Sequence, residues 1–225
     1  MFKKRKKSNT KPLGKNYWRL WFAHGVSNLG DGVSQVAYPW LASAVTRSPL
    51  LIATVAVASR LPWLIFTLPA GVITDRFDRR KLIVGMDFFR GLLTVAVGVI
   101  VLLNHDSLPS LNELKSLTDL DTNWALYVTL VIASFLFGMA EVLRDNSAQT
   151  LMPSVVAEEN LEKANGRIWS AESLTNSFIG PPLGSLLIGI SIFIPFFFDA
   201  VSFFVAVALI ASISGSFKPI SEEPR

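Results

Sequence analysis

Gly71-Val-Ile-Thr-Asp-Arg-Phe-Asp-Arg-Arg-Lys81 is a short basic loop that closes one long apolar run, Leu50–Ile73, and opens another, Leu82–Leu103. Each run is near the roughly 20 residues a helix needs to cross a hydrocarbon core. Helix is the expected form, because in lipid every backbone amide must be paired within its own segment. The loop between the runs is too charged for lipid, so it lies at one membrane face and turns the chain back. Its residues read as a hinge. Gly71 lets helices approach closely. Asp75 can accept hydrogen bonds from a helix N-terminus or a basic neighbour. Arg76, Arg79 and Arg80 can pair with carboxylates at that face, latching one conformation and releasing in another.

The same alternation runs through the chain. Further spans are expected at Tyr17–Val45, Trp124–Leu143, Ile168–Ile190 and Ile192–Ile213, with Pro195 near the start of the last. The sequence predicts an all-α integral membrane domain over 17–213, after a basic tail over 1–16 and before a tail or linker over 214–225. Half of the residues are hydrophobic (51%) and only 17% are charged, a combination rare in soluble domains. Positive charge orients the spans. Lys3–Lys7, Lys11 and Lys15, then the Arg76–Lys81 cluster, Arg144, Lys163, Arg167, Lys218 and Arg225 all fall on one side, against Arg47 and Lys115 on the other. The positive-inside rule then puts both termini in the cytoplasm of a multi-pass cell-membrane protein. Asn104–Asn123 is the long external loop. Arg144–Asn165 is expected as a cytoplasmic loop, with a short surface helix over Val155–Ala164.

Several function classes fall away. With no cysteine and only His24 and His105, disulfides are excluded and no metal cluster is expected. The basic N-terminus suits a topology signal touching anionic headgroups better than a nucleic-acid arm. The first span is too long for a signal peptide. There is no HExxH, no GxSxG and no P-loop, so neither an enzyme nor an ATP-driven pump is expected. Gly30-Asp31-Gly32 lacks the Gly-x-Gly-Asp context and the second aspartate of intramembrane proteases. No cofactor is expected.

The chemistry sits in charges placed where charge is expensive, about 2.5–3.5 kcal/mol each at a helix centre. Asp31, between Gly30 and Gly32, and Arg60, before a kinking Pro62, are expected to pair across the first two spans or to face a cavity. Asp87 and Arg90 share a helix face three residues apart, and so do Glu141 and Arg144. Both pairs are expected to fix packing or gating at the cytoplasmic side. Glu172 and Asp199 are candidate proton carriers, as membrane carboxylates can be. Gly180-Pro-Pro-Leu-Gly184 bends its helix and presents Gly180 and Gly184 as a small-residue face.

Gly71-x-x-x-Asp75-Arg76, followed by Arg79-Arg80 in a loop between the second and third spans, resembles the signature loop of the major facilitator superfamily. Asn28-Leu-Gly-Asp31, Arg60-Leu-Pro62, Leu151-Met-Pro153 and Ala164-Asn165 resemble its branch of macrolide-efflux and enterobactin-exporter-like proteins. Gly180-Pro181-Pro-Leu-Gly184-Ser185 is similar to the family's antiporter motif, with Ser185 where a glycine is usual and Asn176 at the upstream glycine. The resemblance implies the six-helix N-terminal half of a transporter. It would export a small amphipathic molecule by alternating access, powered by a proton gradient. Asp31 and Arg60 would face the central cavity and the Gly71–Lys81 loop would gate it. The expected partners are the lipid bilayer, the small-molecule substrate and a second six-helix half or a second copy. The resemblance also implies a half-length, split or truncated chain. The alternative is a membrane module that does not transport but pairs with or regulates another protein.

Overall fold

The computed structural model describes residues 13–109, 111–117, 120–215 and 217. The basic run Lys3–Lys11 and the orienting residues Lys218 and Arg225 lie outside them, as does Asp119 of the external loop. No strand occurs among the described residues. The helices are α1 (Lys15–Val45), α2 (Pro49–Ile65), α3 (Thr67–Thr74), α4 (Arg79–Leu103), α5 (Leu111–Ser116), α6 (Trp124–Val155), α7 (Leu161–Glu172), α8 (Gly180–Ile190) and α9 (Ile194–Ala211).

Local chemistry sets these boundaries. Pro49 and Pro195 stand in the first turns of α2 and α9, where a missing N–H costs nothing. Asp78 caps α4 by accepting from the Lys81 N–H at 3.1 Å, and Asn123 caps α6 by accepting from Leu126 at 3.2 Å. The second expected span is bent by 53° between α2 and α3. The break falls at Phe66 and not at Pro62, which stays inside α2. Pro69 explains the position: it cannot donate to the Ile65 carbonyl, and α2 ends at Ile65. Pro181 and Pro182 act similarly on the fifth span. Two consecutive donors are missing, and the preceding turns widen into a π-helix over Ser173–Ile179 between α7 and α8.

Two expectations are corrected. Arg144–Asn165 is not a loop from its start, because α6 runs on to Val155. Val155–Ala164 is not a separate surface helix; a single 3₁₀ turn at Glu158–Asn160 leads into α7, which carries on toward the fifth span. α4, α6 and α9 are each long and apolar enough to cross a membrane, and α2 with α3 makes a fourth if the bent pair is one span.

α9 packs between α1 and α4, α6 lies against α2 and α4, and α8 lies along α1. Glycine makes two of these contacts close, and a third between α1 and the π segment. A Cβ on Gly32 would stand 2.4 Å from the Asn176 carbonyl, one on Gly184 2.7 Å from that of Val33, and one on Gly138 2.3 Å from that of Ser59. The small-residue face expected of Gly180 and Gly184 is therefore used, against Gly32 and Val33 of α1. Gly71 is different: nothing lies within 4 Å of its would-be Cβ, so no close approach occurs there.

Burial divides the bundle into three layers. One apolar cluster joins Tyr17 and Leu20 of α1 to Ile83, Leu151, Met152, Ile210 and Phe217. Another joins Leu41 and Val45 of α1 to Val55, Val97, Leu130 and Phe196. Between them α1, α4, α6 and α9 each carry a polar step: His24 to Ser34, Asp87 to Thr94, Ser134 to Arg144, and Asp199 to Ser202. The charged residues therefore share one mid-bundle layer.

Candidate functional site: a cavity backed by a buried charge chain

Asp31 is the junction of that layer. Its side chain is 15% exposed and lines a cavity of about 660 Å³. The wall comes from α1 (Asp31, Gln35, Tyr38), α2 (Ile52, Val55, Arg60), α6 (Phe137, Glu141) and Asn176 of the π segment. α4 and α9 contribute nothing to it; they close the bundle behind. The π turn and Gly32 together bring Asn176 to this wall, where its amide oxygen accepts from the Gln35 Nε2.

Behind the cavity the charges form a chain. Arg90 Nη2 donates to Asp31 Oδ1 at 2.5 Å, and Arg90 Nη1 to Asp87 Oδ1 at 3.4 Å. Arg144 lies 3.4 Å from the same Asp87 oxygen through Nε, without the alignment of a hydrogen bond. Arg144 Nη1 donates to His24 Nδ1 and to Asp145 Oδ1, each at 2.9 Å. His24 Nε2 then meets Glu172 Oε2 at 3.1 Å. Since an arginine N–H can only donate, His24 Nδ1 must accept, and the imidazole is the neutral Nε2–H tautomer donating to Glu172. The Arg90 guanidinium is also clamped between Phe137 and Phe203, at 4.5 and 4.3 Å from the ring centres. A desolvated contact of this kind contributes about 2 kcal/mol.

Several expectations change. Asp31 pairs with Arg90 of α4, not with Arg60. Arg60 is exposed at the cavity wall and makes no ion pair with a described residue. Asp87 and Arg90 do share a contact, but Glu141 and Arg144 do not. Glu141 turns to the cavity while Arg144 turns inward to Asp87, Asp145 and His24. Because α6 continues for three turns past Leu143, Arg144 lies mid-bundle. Asp199 is fully buried and accepts from Ser34 Oγ at 2.6 Å, with Ser202 Oγ beside it. Glu172 is 43% exposed beside His24, an open position for a carboxylate.

The loop Gly71–Lys81 also differs from expectation. Asp75 and Arg76 are exposed, and Asp75 accepts from no described residue. Asp78 holds the loop instead, accepting from Lys81 and from the Phe217 N–H at 3.2 Å. Partial burial raises its pKa, but the N–H groups of Lys81 and Phe217 and the charge of Arg80 outweigh burial and hold it below the usual carboxylate range. Arg79 donates to the Thr150 carbonyl at 3.1 Å and Arg80 to that of Ile213. Both therefore bind carbonyls near the ends of α6 and α9, not carboxylates.

His24, Asp145, Phe137 and Phe203 are among the site residues that sequence reading missed, as are Gln35 and Tyr38 on the cavity wall. His24 carried a signal, since it lies two helical turns before Asp31 on the same face. Phe137 and Phe203 carried none among so many phenylalanines.

The sequence profile of the transmembrane secretion effector family matches residues 7–219. Macrolide efflux protein A of Streptococcus pyogenes is 23% identical over 173 residues, covering 76% of this chain and 37% of the relative. The multidrug efflux pump Tap of Mycobacterium tuberculosis is 28% identical over 172 residues, covering 74% and 36%. Tap of Mycolicibacterium fortuitum is 37% identical over 82 residues, covering 36% and 20%. The chain thus spans less than two fifths of the length of these relatives, which are efflux transporters and not enzymes. No solved structure matches it. A match over nearly the whole chain, with the charged loop and the glycine contacts now seen in place, assigns the chain to the transmembrane secretion effector family of the major facilitator superfamily.

Proposed function

We propose that this chain is a six-span half of a proton-driven exporter of small amphipathic molecules, working against a second six-helix body across the cavity. One observation carries this reading: a cavity at mid-bundle height whose wall mixes Ile52, Val55, Tyr38 and Phe137 with Asp31, Arg60 and Glu141. Such a wall can take both ends of an amphipathic molecule. All its residues come from α1, α2, α6 and the π segment, so the remaining side is available to the second body. Asp31 is the proton acceptor nearest the substrate. The exposed Asp75 and Arg76 are the loop residues free to meet the second body, while Asp78, Arg79 and Arg80 hold the loop to this one. Both termini are cytoplasmic in this reading, and the names of the relatives support a drug-like or macrolide-like substrate.

The test is a drug-accumulation panel in an efflux-deficient bacterium. The chain is expressed alone and with the reading frame that follows it. Lowered accumulation of a macrolide or a dye, restored by a protonophore and by Asp31→Asn, is expected when both are present. Unchanged accumulation of every compound in both settings would show a module that does not transport.

A further inference from the structure

Asp87 is the weak point of the charge chain. It is fully buried, its Oδ2 has no partner, and Oδ1 is reached by Arg90 and Arg144 only at 3.4 Å. Both arginines lean away from it, Arg90 toward Asp31 at 2.5 Å and Arg144 toward His24 at 2.9 Å. A buried carboxylate left so poorly satisfied is costly and calls for an explanation. The contacts supply one. Asp31 pairs with Arg90 and the accepting Nδ1 of His24 with Arg144, so each end holds its own arginine. Asp87 is a half-filled receiver between them, weakly held at Oδ1 and open at Oδ2.

We propose that proton binding at Asp31 and proton loss at His24 are linked through Asp87, which accepts one arginine at a time. A proton on the Asp31 carboxylate removes the partner of Arg90, and Arg90 moves fully onto Asp87. A proton on His24 Nδ1 removes one of the two acceptors of Arg144 Nη1 and repels the guanidinium; Asp145 keeps Nη1, and the unpartnered Nε and Nη2 move onto Asp87, while Nε2–H keeps Glu172. Each event fills the same receiver, so each opposes the other. Neither arginine gives up a proton, which its chemistry forbids; only positions change. A proton taken at the cavity and one released from imidazolium at the Glu172 side leave the net charge of the chain unchanged. His24 is then a second proton site of the transporter, placed by Arg144 and opening through the part-exposed Glu172.

Other charges face the two ends. His24 meets Arg144 from α6 and Glu172 from α7, with Asp87 of α4 and Asp145 of α6 behind Arg144. Asp31 meets Arg90 of α4, with Glu141 of α6 and Asp199 of α9 close enough to act on it. Glu141 and Asp199 make no ion pair with a described arginine but act on Arg90 through space, so they bias the starting point of the charge chain.

This inference rests on the proton-driven reading, but its test needs no transport. The chain holds only two histidines, so ring resonances of His24 and His105 can be followed separately in detergent or nanodiscs. Asp31→Asn, which imitates the protonated carboxylate, is expected to lower the His24 titration midpoint by about one pH unit, a tenfold loss of proton affinity, and to leave His105 unmoved. Arg144→Gln should abolish that dependence on Asp31. A His24 midpoint unchanged by Asp31→Asn overturns the linkage, and so does a shift that persists undiminished with Arg144→Gln. If Asp31→Asn does not fold, His24→Gln is read at Asp31 by its carboxylate infrared band. The Asp31 midpoint must then rise, and an unmoved band overturns the proposal equally.

Discussion

At the residue scale the decisive group is Arg90. It neutralises Asp31, contacts Asp87 and fills the gap between Phe137 and Phe203. Removing one partner of a buried pair leaves the other charge stranded, at a cost of about 3–5 kcal/mol. Arg90→Gln is therefore expected to lower the detergent melting temperature severely. Asp31→Asn combined with Arg90→Gln should be milder than Arg90→Gln alone, because one of the two stranded carboxylates is gone and only Asp87 remains; an equal or larger loss in the double variant would dissociate the pair. The same cycle with Arg60→Gln should show no coupling to Asp31. Asp78 provides a second case, outside the spans. Its carboxyl is held below the usual range, so the bonds to Lys81 and Phe217 are fully present above about pH 4 and are lost only as pH falls through that lowered value. Hydrogen exchange in 213–217, corrected for its intrinsic rate, should not change between pH 7 and pH 5. Asp78→Asn should accelerate it at pH 7 by roughly tenfold, the equivalent of one charged hydrogen bond. The sequence marked Asp31, Arg60, Asp87 and Arg90, because a charge inside an apolar run is expensive, but for the loop it pointed to Asp75 and not to Asp78. It could not assign partners. Asp31 could have reached Arg60 or Arg90, and only the rotation of α4 against α1, set by α9 packed between them, selects Arg90.

At the scale of elements, glycine and proline positions were the most legible features, and their mechanisms were less so. Gly180 and Gly184 were readable as a contact face from their spacing, and α1 occupies it. Gly71 is readable as a family position, yet a Cβ there would meet nothing within 4 Å among the described residues. The bend of the second span was readable too, but was ascribed to Pro62 when the unpaired carbonyl at Ile65 belongs to Pro69. These differences make a sharp comparison. Gly32→Ala and Gly184→Ala push a methyl into a backbone of α8, its π segment or α1 and should cost about 1–3 kcal/mol through overpacking. Gly71→Ala should leave the unfolding of this chain unchanged, and any loss it causes should be confined to transport by the assembled protein. Loss of stability from Gly71→Ala, or none from Gly32→Ala, would reverse this assignment of roles. The π segment was the least legible element, since nothing short of the paired prolines marks a π-helix in sequence. Its consequence is specific: it carries Asn176 to the cavity wall beside Gln35.

At the scale of the whole molecule, two of the spans easiest to recognise as membrane-crossing, α4 and α9, line the cavity least, while α6 and the bent α2–α3 pair are also recognisable and form much of its wall. α4 and α9 pass on length and apolarity and close the back of the bundle, while α1 and the broken α7–α8 segment do not pass. α1 falls short because His24, Asn28, Asp31 and Gln35 interrupt its apolar face, and the fifth segment because its helix changes pitch. Part of the site is thus placed on α1 and the π-broken segment, the helices that least resemble membrane helices. A bundle can insert such helices only if stable spans hold them, and α9, packed on both α1 and α4, is placed to do so. The proposed six crossings can therefore be tested by topology alone. The chain has no cysteine, so single cysteines at exposed positions can be labelled with an impermeant maleimide against no background. Asp121→Cys and Ile190→Cys should react in intact cells. Asp75→Cys and Glu159→Cys should react only after the membrane is opened. The pair at 159 and 190 brackets the π-broken segment, so labelling of both from one side would mean that this segment does not cross. The cavity would then lose the wall that carries Asn176, and the half-transporter reading would fail with it.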